Sequence, residues 1–379
     1  MGKSLEELEV NRMKKTNAVE AALLRVKSMG WIVSKNPNYI LPPFAFHQFK
    51  KDITDRENAQ LLYAHKTPHW VPSYWGDFNV RNVMFFDNER PSGGVGAGAP
   101  GIDWFGVEWV DTGAFNAPMV KPGNPVMTDI TKWREQVKFP DLDVLDWEKE
   151  RQHFTKKDCP DRMNLHICCE GPFERLHDLM GFEEALIAML EEPEACAEFI
   201  SAMADHKIRL FKKLREYLNI DVVVVQDDLG SQANGFFSLD TFREILLPSY
   251  KRMVDAAHEL GMIYQFHSCG KAEMYIPDLV EIGIDAWDSA QTCNDLAAIK
   301  EKYGDRLVIA GGLDSMTILG CAHVPKEVQK QHVREQIDKL AVGGGYMPVA
   351  YTPEMSAYMV VGSVVAEHGS TFYLDPKNR

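Results

Sequence analysis

Residues 221–267 read as a strand, a helix and a second strand: Asp221-Val-Val-Val-Val-Gln226, an amphipathic segment from Leu239 to Leu260, and Met262-Ile-Tyr-Gln-Phe-His267. Both apolar runs are short, as expected of strands that are buried on two faces of a parallel sheet. Ser238 can cap the intervening helix, Gly261 can end it, and Pro248 should bend it. This order predicts a β-α unit of an α/β fold.

The same alternation continues through the second half of the chain. Further short apolar segments predict strands at Asn164–Cys169, Ile284–Trp287, Leu307–Ala310 and Tyr346–Ala350. Together with the two strands above, His69–Trp75 and one weakly marked strand, they make up the eight strands of a closed parallel barrel. We therefore expect an α/β fold, a TIM (β/α)8 barrel with an N-terminal extension and loop insertions.

An open, doubly wound sheet is the competing architecture. Such a sheet needs a glycine-rich turn between its first strand and helix, and the chain has none there. The formal match, Gly96-Ala-Gly-Ala-Pro-Gly101, is interpreted as a surface loop or lid because Pro100 stands where a helix should be under way.

Composition changes along the chain. Residues 1 to about 155 are irregular and rich in Pro, Gly and Trp, whereas the rest alternates apolar runs with amphipathic helices. We expect an N-terminal helical or irregular extension over residues 1–65. A barrel domain should follow over residues 66–379, with an insertion near residues 80–155.

Charge and cysteine content narrow the class of protein. With 41 Lys and Arg against 55 Asp and Glu in 379 residues, the net charge is −14, which disfavours nucleic acid and anionic membranes as partners. The seven cysteines follow no disulfide pattern, and the start of the chain has no apolar segment of signal length. These features favour a cytoplasmic enzyme with reduced thiols.

The segment His267-Ser-Cys-Gly270 directly follows a predicted strand. Imidazole and thiolate are common ligands of zinc, and strand ends carry the chemistry of barrel enzymes. The spacing alone is weak evidence, since chance gives 12 × 7 / 379, about 0.2 His-x-Cys matches in such a chain. The alternative interpretation makes Cys269 a buried small side chain and His267 a satisfied core histidine.

Four segments resemble the uroporphyrinogen decarboxylase superfamily: Glu170-Gly-Pro-Phe173, Phe237–Pro248, His267–Gly270 and Gly311-Gly-Leu-Asp314. The resemblance spans residues 65–370 and implies a TIM barrel. That superfamily includes both the decarboxylase and zinc-dependent methyltransferases that move a methyl group to or from a corrinoid protein. The decarboxylase's arginine-bearing motif is replaced here by His69-Trp-Val-Pro-Ser-Tyr-Trp-Gly76, which lacks cations for a substrate rich in carboxylates. The methyltransferase branch is therefore favoured.

The resemblance implies that His267 and Cys269 are two zinc ligands. In coenzyme M methyltransferases the third is a cysteine just past the last strand, and it is absent here. Glu354 is the nearest replacement, although it also suits a helix start; Cys293 is a weaker candidate that also fits a buried thiol. A carboxylate in place of a thiolate leaves zinc a harder Lewis acid, which suits an oxygen substrate.

Tryptophans concentrate in segments that should face the mouth of the barrel, where an aromatic ligand would bind, although core packing is the alternative for each. Asp103–Trp109 also resembles the pocket-lining segment of the superfamily. The expected substrate-binding residues are Trp75, Asp103, Trp104, Glu170 and Trp287.

Asp227 and Asp228 are adjacent carboxylates at the end of the predicted strand Asp221–Gln226. Burial would raise at least one pKa, so that the pair could handle a proton or bind a phenolic hydroxyl. A helix cap or a salt bridge is the equally weighted alternative.

These expectations combine into one function. The chain should be a zinc-dependent methyltransferase, an O-demethylase component that takes a methyl group from a methoxylated compound, with an aromatic one favoured. The acceptor is the Co(I) centre of a corrinoid (cobalamin) carried by a partner protein. Two alternatives remain, a coenzyme M-type thiol or methylamine-linked methyltransferase and a tetrapyrrole-binding barrel without turnover. The oligomeric state is left open, with a homodimer as one candidate.

Overall fold

A computed structural model describes residues 49–81, 101–111, 118–155, 158–352 and 354–379. Seven strands form one sheet in which every neighbouring pair is parallel and the spatial order follows the chain order. They are β1 (Phe78–Arg81), β5 (Met163–Cys168), β6 (Val222–Gln226), β7 (Ile263–His267), β8 (Ala286–Ala290), β9 (Val308–Gly312) and β10 (Tyr346–Val349). Sequential parallel order is that of a TIM barrel, and it confirms the predicted α/β class.

Helices follow the strands and cover the outside of the sheet. Their bounds are α1 Asp55–Tyr63, α2 Tyr74–Asp77, α3 Trp133–Gln136, α4 Trp147–Thr155, α5 Pro172–Met180, α6 Phe182–Glu191, α7 Pro193–Leu218, α8 Leu239–Thr241, α9 Leu247–Glu259, α10 Ile276–Glu281, α11 Leu296–Tyr303, α12 Lys326–Leu340 and α13 Met355–Val364. Short 3-10 turns cover Ile130–Lys132, Leu142–Val144, Phe372–Leu374 and Pro376–Asn378, and π-helical turns cover Phe242–Leu246 and Val365–Gly369.

Alternation along the strands divides the apolar core into two layers. One set of side chains packs inside the sheet's curve, and the other packs beneath the helices, because successive residues of a strand point to opposite faces. The inner layer contains Leu165, Ile167, Val222, Val224, Val308, Ala310, Met347 and Val349. The outer layer contains Val223, Val225, Tyr264, Phe266, Trp287 and Ile309. Helix α1 contributes Leu62 and Tyr63 to the inner layer, although it falls within the expected N-terminal extension.

The predicted strand at His69–Trp75 is wrong. The segment bends at His69 and Trp70, continues as loop, and enters α2 at Tyr74. The carboxylate of Asp77 accepts hydrogen bonds from Ser73 N (2.8 Å) and Trp70 Nε1 (3.2 Å). The backbone amide of Ser73 is therefore used in a local turn instead of a strand ladder. Helix α2 contacts β10 as well as β1, and it therefore lies between the two ends of the sheet.

The helix predicted over Leu239–Leu260 forms with an irregularity. Ser238 Oγ accepts from Thr241 N, so the predicted cap is confirmed. A π-helical turn at Phe242–Leu246 precedes Pro248, which cannot donate to the preceding turn and whose ring crowds it.

A three-stranded antiparallel sheet lies in the insertion between β1 and β5. It comprises β2 (Gly101–Ile102), β3 (Glu108–Asp111) and β4 (Pro118–Val120). The Gly96–Gly101 segment lies outside the described residues apart from Gly101. In the described part of the chain, no helix combines the length and apolar character needed to cross a membrane.

Candidate metal centre

Residues 267–270, at the end of β7, carry two of the donors, and we call this segment the donor loop. His267 ends the strand with its side chain 5% exposed, and Cys269 lies two residues further on, its Sγ 3.5 Å from His267 Nε2. Ser268, between them, is pinned at two points: its amide donates to Asp288 O (2.7 Å) and its Oγ accepts from Leu229 N (2.9 Å). The loop is therefore anchored to both neighbouring strand ends.

Asp228 supplies a third donor from the end of β6. Its Oδ1 accepts a hydrogen bond from Cys269 N (2.7 Å) and lies 3.8 Å from His267 Nε2. One ligand atom each from Asp228, His267 and Cys269 lies within 4.8 Å of the others. Within the described ranges, this is the one group of three or more acidic, histidine or cysteine side chains whose donor atoms converge in this way.

The chemistry of the donors fits zinc. An imidazole nitrogen, a thiolate sulfur and a carboxylate oxygen are all ligands of Zn²⁺, and a catalytic zinc site has three protein ligands and an open position. Asp228 is about one third exposed while His267 is buried, so the group is accessible from one side. Asp228, for which the sequence predicts proton handling, therefore lies among the candidate metal donors.

Electrostatics couple the histidine to its neighbours. Burial lowers the pKa of His267, but Cys269 and Asp288 outweigh it, and the net shift is well above the usual value. Burial, reinforced by Asp228, raises the pKa of the Cys269 thiol. A bound cation would favour the thiolate and the neutral imidazole, because both must lose a proton to ligate.

Asp288 is a site residue that the sequence analysis missed. It stands opposite His267 in the parallel register of β7 and β8, is fully buried, and has its Oδ2 3.5 Å from His267 Nδ1. The predicted strand ended at Trp287, whereas β8 continues through Asp288 to Ala290. A charged residue inside an otherwise apolar strand, Ala286-Trp-Asp288, was the available signal.

Aromatic rings adjoin the donors. The ring of Tyr351 meets that of His267 edge-on at 5.0 Å, and Trp75 lies 6.5 Å from Tyr351 and 5.9 Å from Tyr358. Trp75 is half-buried. Trp75 is thus linked to His267 through the ring of Tyr351, and we call Trp75, Tyr351 and Tyr358 the aromatic wall.

Asp227 points away from the donors. Its buried carboxylate accepts from Glu174 N (2.8 Å), Phe173 N (3.1 Å) and Tyr250 OH (2.5 Å), so it caps α5 and joins that helix to α9. Burial and the nearby Glu174 raise the pKa of Asp227 to about 7. These contacts match the helix-cap interpretation.

Asp103 is also engaged in internal bonds. Its carboxylate accepts from Phe105 N, Val107 N and Trp109 Nε1 at 2.9 to 3.1 Å. Its Oδ2 also pairs with Arg175 Nη1 at 2.6 Å, with both side chains fully buried.

The other expected substrate residues are Trp104, Glu170 and Trp287, all of them buried or half-buried. Trp104 is half-buried and packs against the outer core layer. Trp287 is fully buried in that layer, and its Nε1 donates to Ser268 O (3.4 Å), so it supports the donor loop. Glu170 is buried with a φ of +56°, a conformation that is strained for a residue with a side chain. Their roles in substrate binding remain predictions.

Neither expected replacement ligand joins the group. Glu354 caps α13, its Oε1 accepting from Ser356 N (2.9 Å). Hydrogen bonding to the Ser356 side chain, and then to its backbone amide, lowers the pKa of Glu354. Cys293 Sγ accepts from Asn294 Nδ2 (3.5 Å). In the described part of the chain, the side chain that converges with His267 and Cys269 is that of Asp228.

Comparison with known proteins gives a family match. Residues 106–360 match the family described as uroporphyrinogen decarboxylase (URO-D), which is more than half of the chain.

Two individual proteins are similar to this chain. The first is the methylated-thiol–coenzyme M methyltransferase of Methanosarcina mazei, which is 25% identical over 149 residues, or 39% of this chain. The alignment spans 38% of that relative's own length. The second is the solved structure of a methyltransferase from Methanosarcina mazei, with a TM-score of 0.62 and 17% identity, covering 85% of this chain and 100% of that one. At this identity the structural match concerns the fold.

Proposed function

The chain belongs to the uroporphyrinogen decarboxylase family, and we propose that it is a zinc-dependent methyltransferase that demethylates a methoxylated aromatic compound. The methyl acceptor is the Co(I) centre of a corrinoid carried by a separate protein. The proposed setting is the cytoplasm, in keeping with the seven free thiols of the chain, all of which lie in described residues.

One observation carries this proposal: Asp228, His267 and Cys269 converge at the carboxyl ends of two adjacent parallel strands. In TIM-barrel enzymes, these ends form the catalytic face. Only one of the three donors is a sulfur. Zinc in such a set keeps more positive charge than with two thiolates and suits an ether oxygen better than a thioether sulfur.

The aromatic wall supports an aromatic substrate. The ring of Tyr351 lies against His267, and Trp75 and Tyr358 continue the row of rings from Tyr351. Edge-to-face and offset contacts of such rings with a substrate ring are worth about 0.5 to 1.5 kcal/mol each beyond area burial. The wall would orient the ring and exclude water, while Asp228 holds the donor loop through the Cys269 amide.

The reaction is a displacement at the methyl carbon. Co(I) contributes the electron pair of the new Co–C bond, and the C–O bond breaks with its pair going to oxygen, so that the phenolate leaves and takes up a proton from water. Zinc would supply Lewis-acid polarisation of the leaving oxygen.

A second candidate is transfer of a methyl group from a thioether. The curated relative is described as acting on methylated thiols, and this is the observation in its favour. A methylamine donor belongs to the same class of alternative.

A donor panel tests the proposal. Zinc-loaded protein is mixed with free cob(I)alamin and 2-methoxyphenol, dimethyl sulfide or trimethylamine, and conversion to methylcobalamin is followed by absorbance. The aryl ether should react fastest, and the His267→Ala variant should be inactive with all three. A faster reaction of the sulfide or the amine would replace the ether proposal. Binding of cobalamin without methylation by any donor would indicate a non-catalytic barrel.

A further inference from the structure

The buried carboxylate of Asp288 lies behind the candidate metal ligands. Asp288 is fully buried, and its Oδ2 lies 3.5 Å from His267 Nδ1, on the opposite side of the imidazole from Cys269. Neither His267 Nδ1 nor Asp288 Oδ1 has a hydrogen-bond partner within the described residues. The pair is therefore one small shift short of a hydrogen bond.

A relay of hydrogen bonds holds this carboxylate from the other side. Asp288 Oδ2 accepts from Tyr351 OH (2.8 Å) and Gln265 Nε2 (3.1 Å). Tyr63 OH in turn donates to Gln265 Oε1 (2.8 Å), which fixes the orientation of the amide. With hydrogen bonds from both Tyr351 and Gln265, the Asp288 carboxylate has little freedom to rotate, so its position is set before any metal binds.

A packing role alone does not account for this arrangement. A buried carboxylate is costly unless it is paired or fully hydrogen-bonded, and an amide or an apolar side chain would fill the same space at lower cost. The position of Asp288 is explained if the His267 imidazole must present one particular nitrogen to a metal ion. Metal binding at Nε2 leaves the proton on Nδ1, which faces Asp288.

We propose that Asp288 is a positioning residue for the metal centre: it accepts the Nδ1–H of His267 and so aims Nε2 at the ion shared with Asp228 and Cys269. Tyr351 and Gln265 keep Asp288 in place for this task. The inference rests on the metal site of the proposed function. Outer partners of this kind usually change metal affinity by about 10- to 100-fold when they are removed.

Three variants test it. Asp288→Asn removes the acceptor charge with little change of shape, and Tyr351→Phe loosens its support. The matched control is Asp285→Asn, since Asp285 also pairs with a histidine, His258 Nε2 at 2.8 Å, but on the helix-covered side of the sheet. Zinc dissociation constants are measured by competition with a chromophoric chelator. Extended X-ray absorption counts the ligands, and circular dichroism checks folding.

We expect Asp288→Asn to raise the dissociation constant about 10- to 100-fold with an unchanged ligand count. Tyr351→Phe should raise it about 2- to 10-fold, and the control should stay within about twofold. An unchanged affinity in Asp288→Asn overturns the inference while the metal site stands, and loss of one oxygen ligand makes Asp288 a ligand instead. If Asp288→Asn does not fold, unchanged affinity in Tyr351→Phe overturns it. Wild-type protein that binds no zinc would overturn the proposed function as well.

Discussion

The amide of Asp227 donates a hydrogen bond to the carbonyl of His267 over 2.9 Å. This bond closes the register of β6 and β7 at the point where the strands end. Asp228 and Cys269 therefore leave adjacent strands at matched heights, which lets a carboxylate and a thiol meet.

Removal of either loop donor should abolish metal retention. We expect about one zinc per chain in the wild type and much less in His267→Ala or Cys269→Ser, with unchanged circular dichroism. Cys293→Ser is the control, because its thiol lies outside the converging group. Elemental analysis decides, and full zinc in both loop variants would return His267 and Cys269 to a packing role.

Asp228 and Glu354 can be distinguished as the third ligand. Asp228→Asn should weaken zinc binding, since it replaces an anionic donor within 4.8 Å of the other two. Glu354→Gln should leave zinc binding nearly unchanged and cost only a helix cap, about 0.5 to 2 kcal/mol. Metal titration and urea unfolding measure the two effects. The opposite result would restore our original assignment of Glu354.

Gly270 should be irreplaceable in the donor loop. Its φ is +74°, and a Cβ there would lie 2.0 Å from Gly230 O, so Gly270→Ala must displace the loop and lower zinc content. Gly343 has a similar φ of +77° but open space around it. Gly343→Ala should therefore cost about 1 to 2 kcal/mol of stability and retain zinc. Equal zinc content in both variants would contradict the steric argument.

Stability should fall in acid partly because of His206. Its ring packs against those of Phe105 and Phe139, and burial, together with Lys207, lowers its pKa from 6.5 to about 3. Below pH 6.5 the unfolded chain gains a proton that the folded chain refuses, so this contribution is present above pH 6.5 and is lost as the pH falls toward 3.

The slope of the free energy of unfolding against pH measures the contribution of His206. His206→Phe should reduce the pH dependence of the free energy of unfolding by up to about 1.4 kcal/mol per pH unit between roughly pH 4 and 6. Replacement of the exposed His323 by Phe serves as the control. Urea unfolding at several pH values provides the slopes, and identical slopes in wild type and His206→Phe would refute the assignment.

The parts of the fold that depend on local pattern could be predicted from the sequence. Strands β5 to β10 follow short apolar runs, and the family resemblance carried by residues 170–314 is confirmed by the match over residues 106–360. A strand was wrongly predicted at His69–Trp75 because aromatic residues favour strands. In the structure, Ser73 N and Trp70 Nε1 donate to the Asp77 carboxylate, and the segment forms a turn.

The site could be predicted only in part. His267 and Cys269 are close in sequence, so their proximity was visible. Asp228 and Asp288 reach them from other strands, and the register that brings them there is a tertiary property. The two faces of β8 are a tertiary property as well: Trp287 packs in the outer core layer, while its neighbour Asp288 faces His267.

The buried Arg175–Asp103 pair has a consequence for sequence change in the insertion. Asp103 directly follows strand β2 of the inserted sheet, and Arg175 lies in α5. The N-terminus of α5 is in turn hydrogen-bonded to Asp227, the direct neighbour of the donor Asp228. Separating two buried charges costs a large free energy, so a shift of the inserted sheet should move α5 with it. A shift of α5 would in turn displace Asp228. Sequence changes that adapt the insertion to a new substrate must therefore keep the Arg175–Asp103 ion pair, or they will also alter the position of Asp228 and the metal affinity of the site.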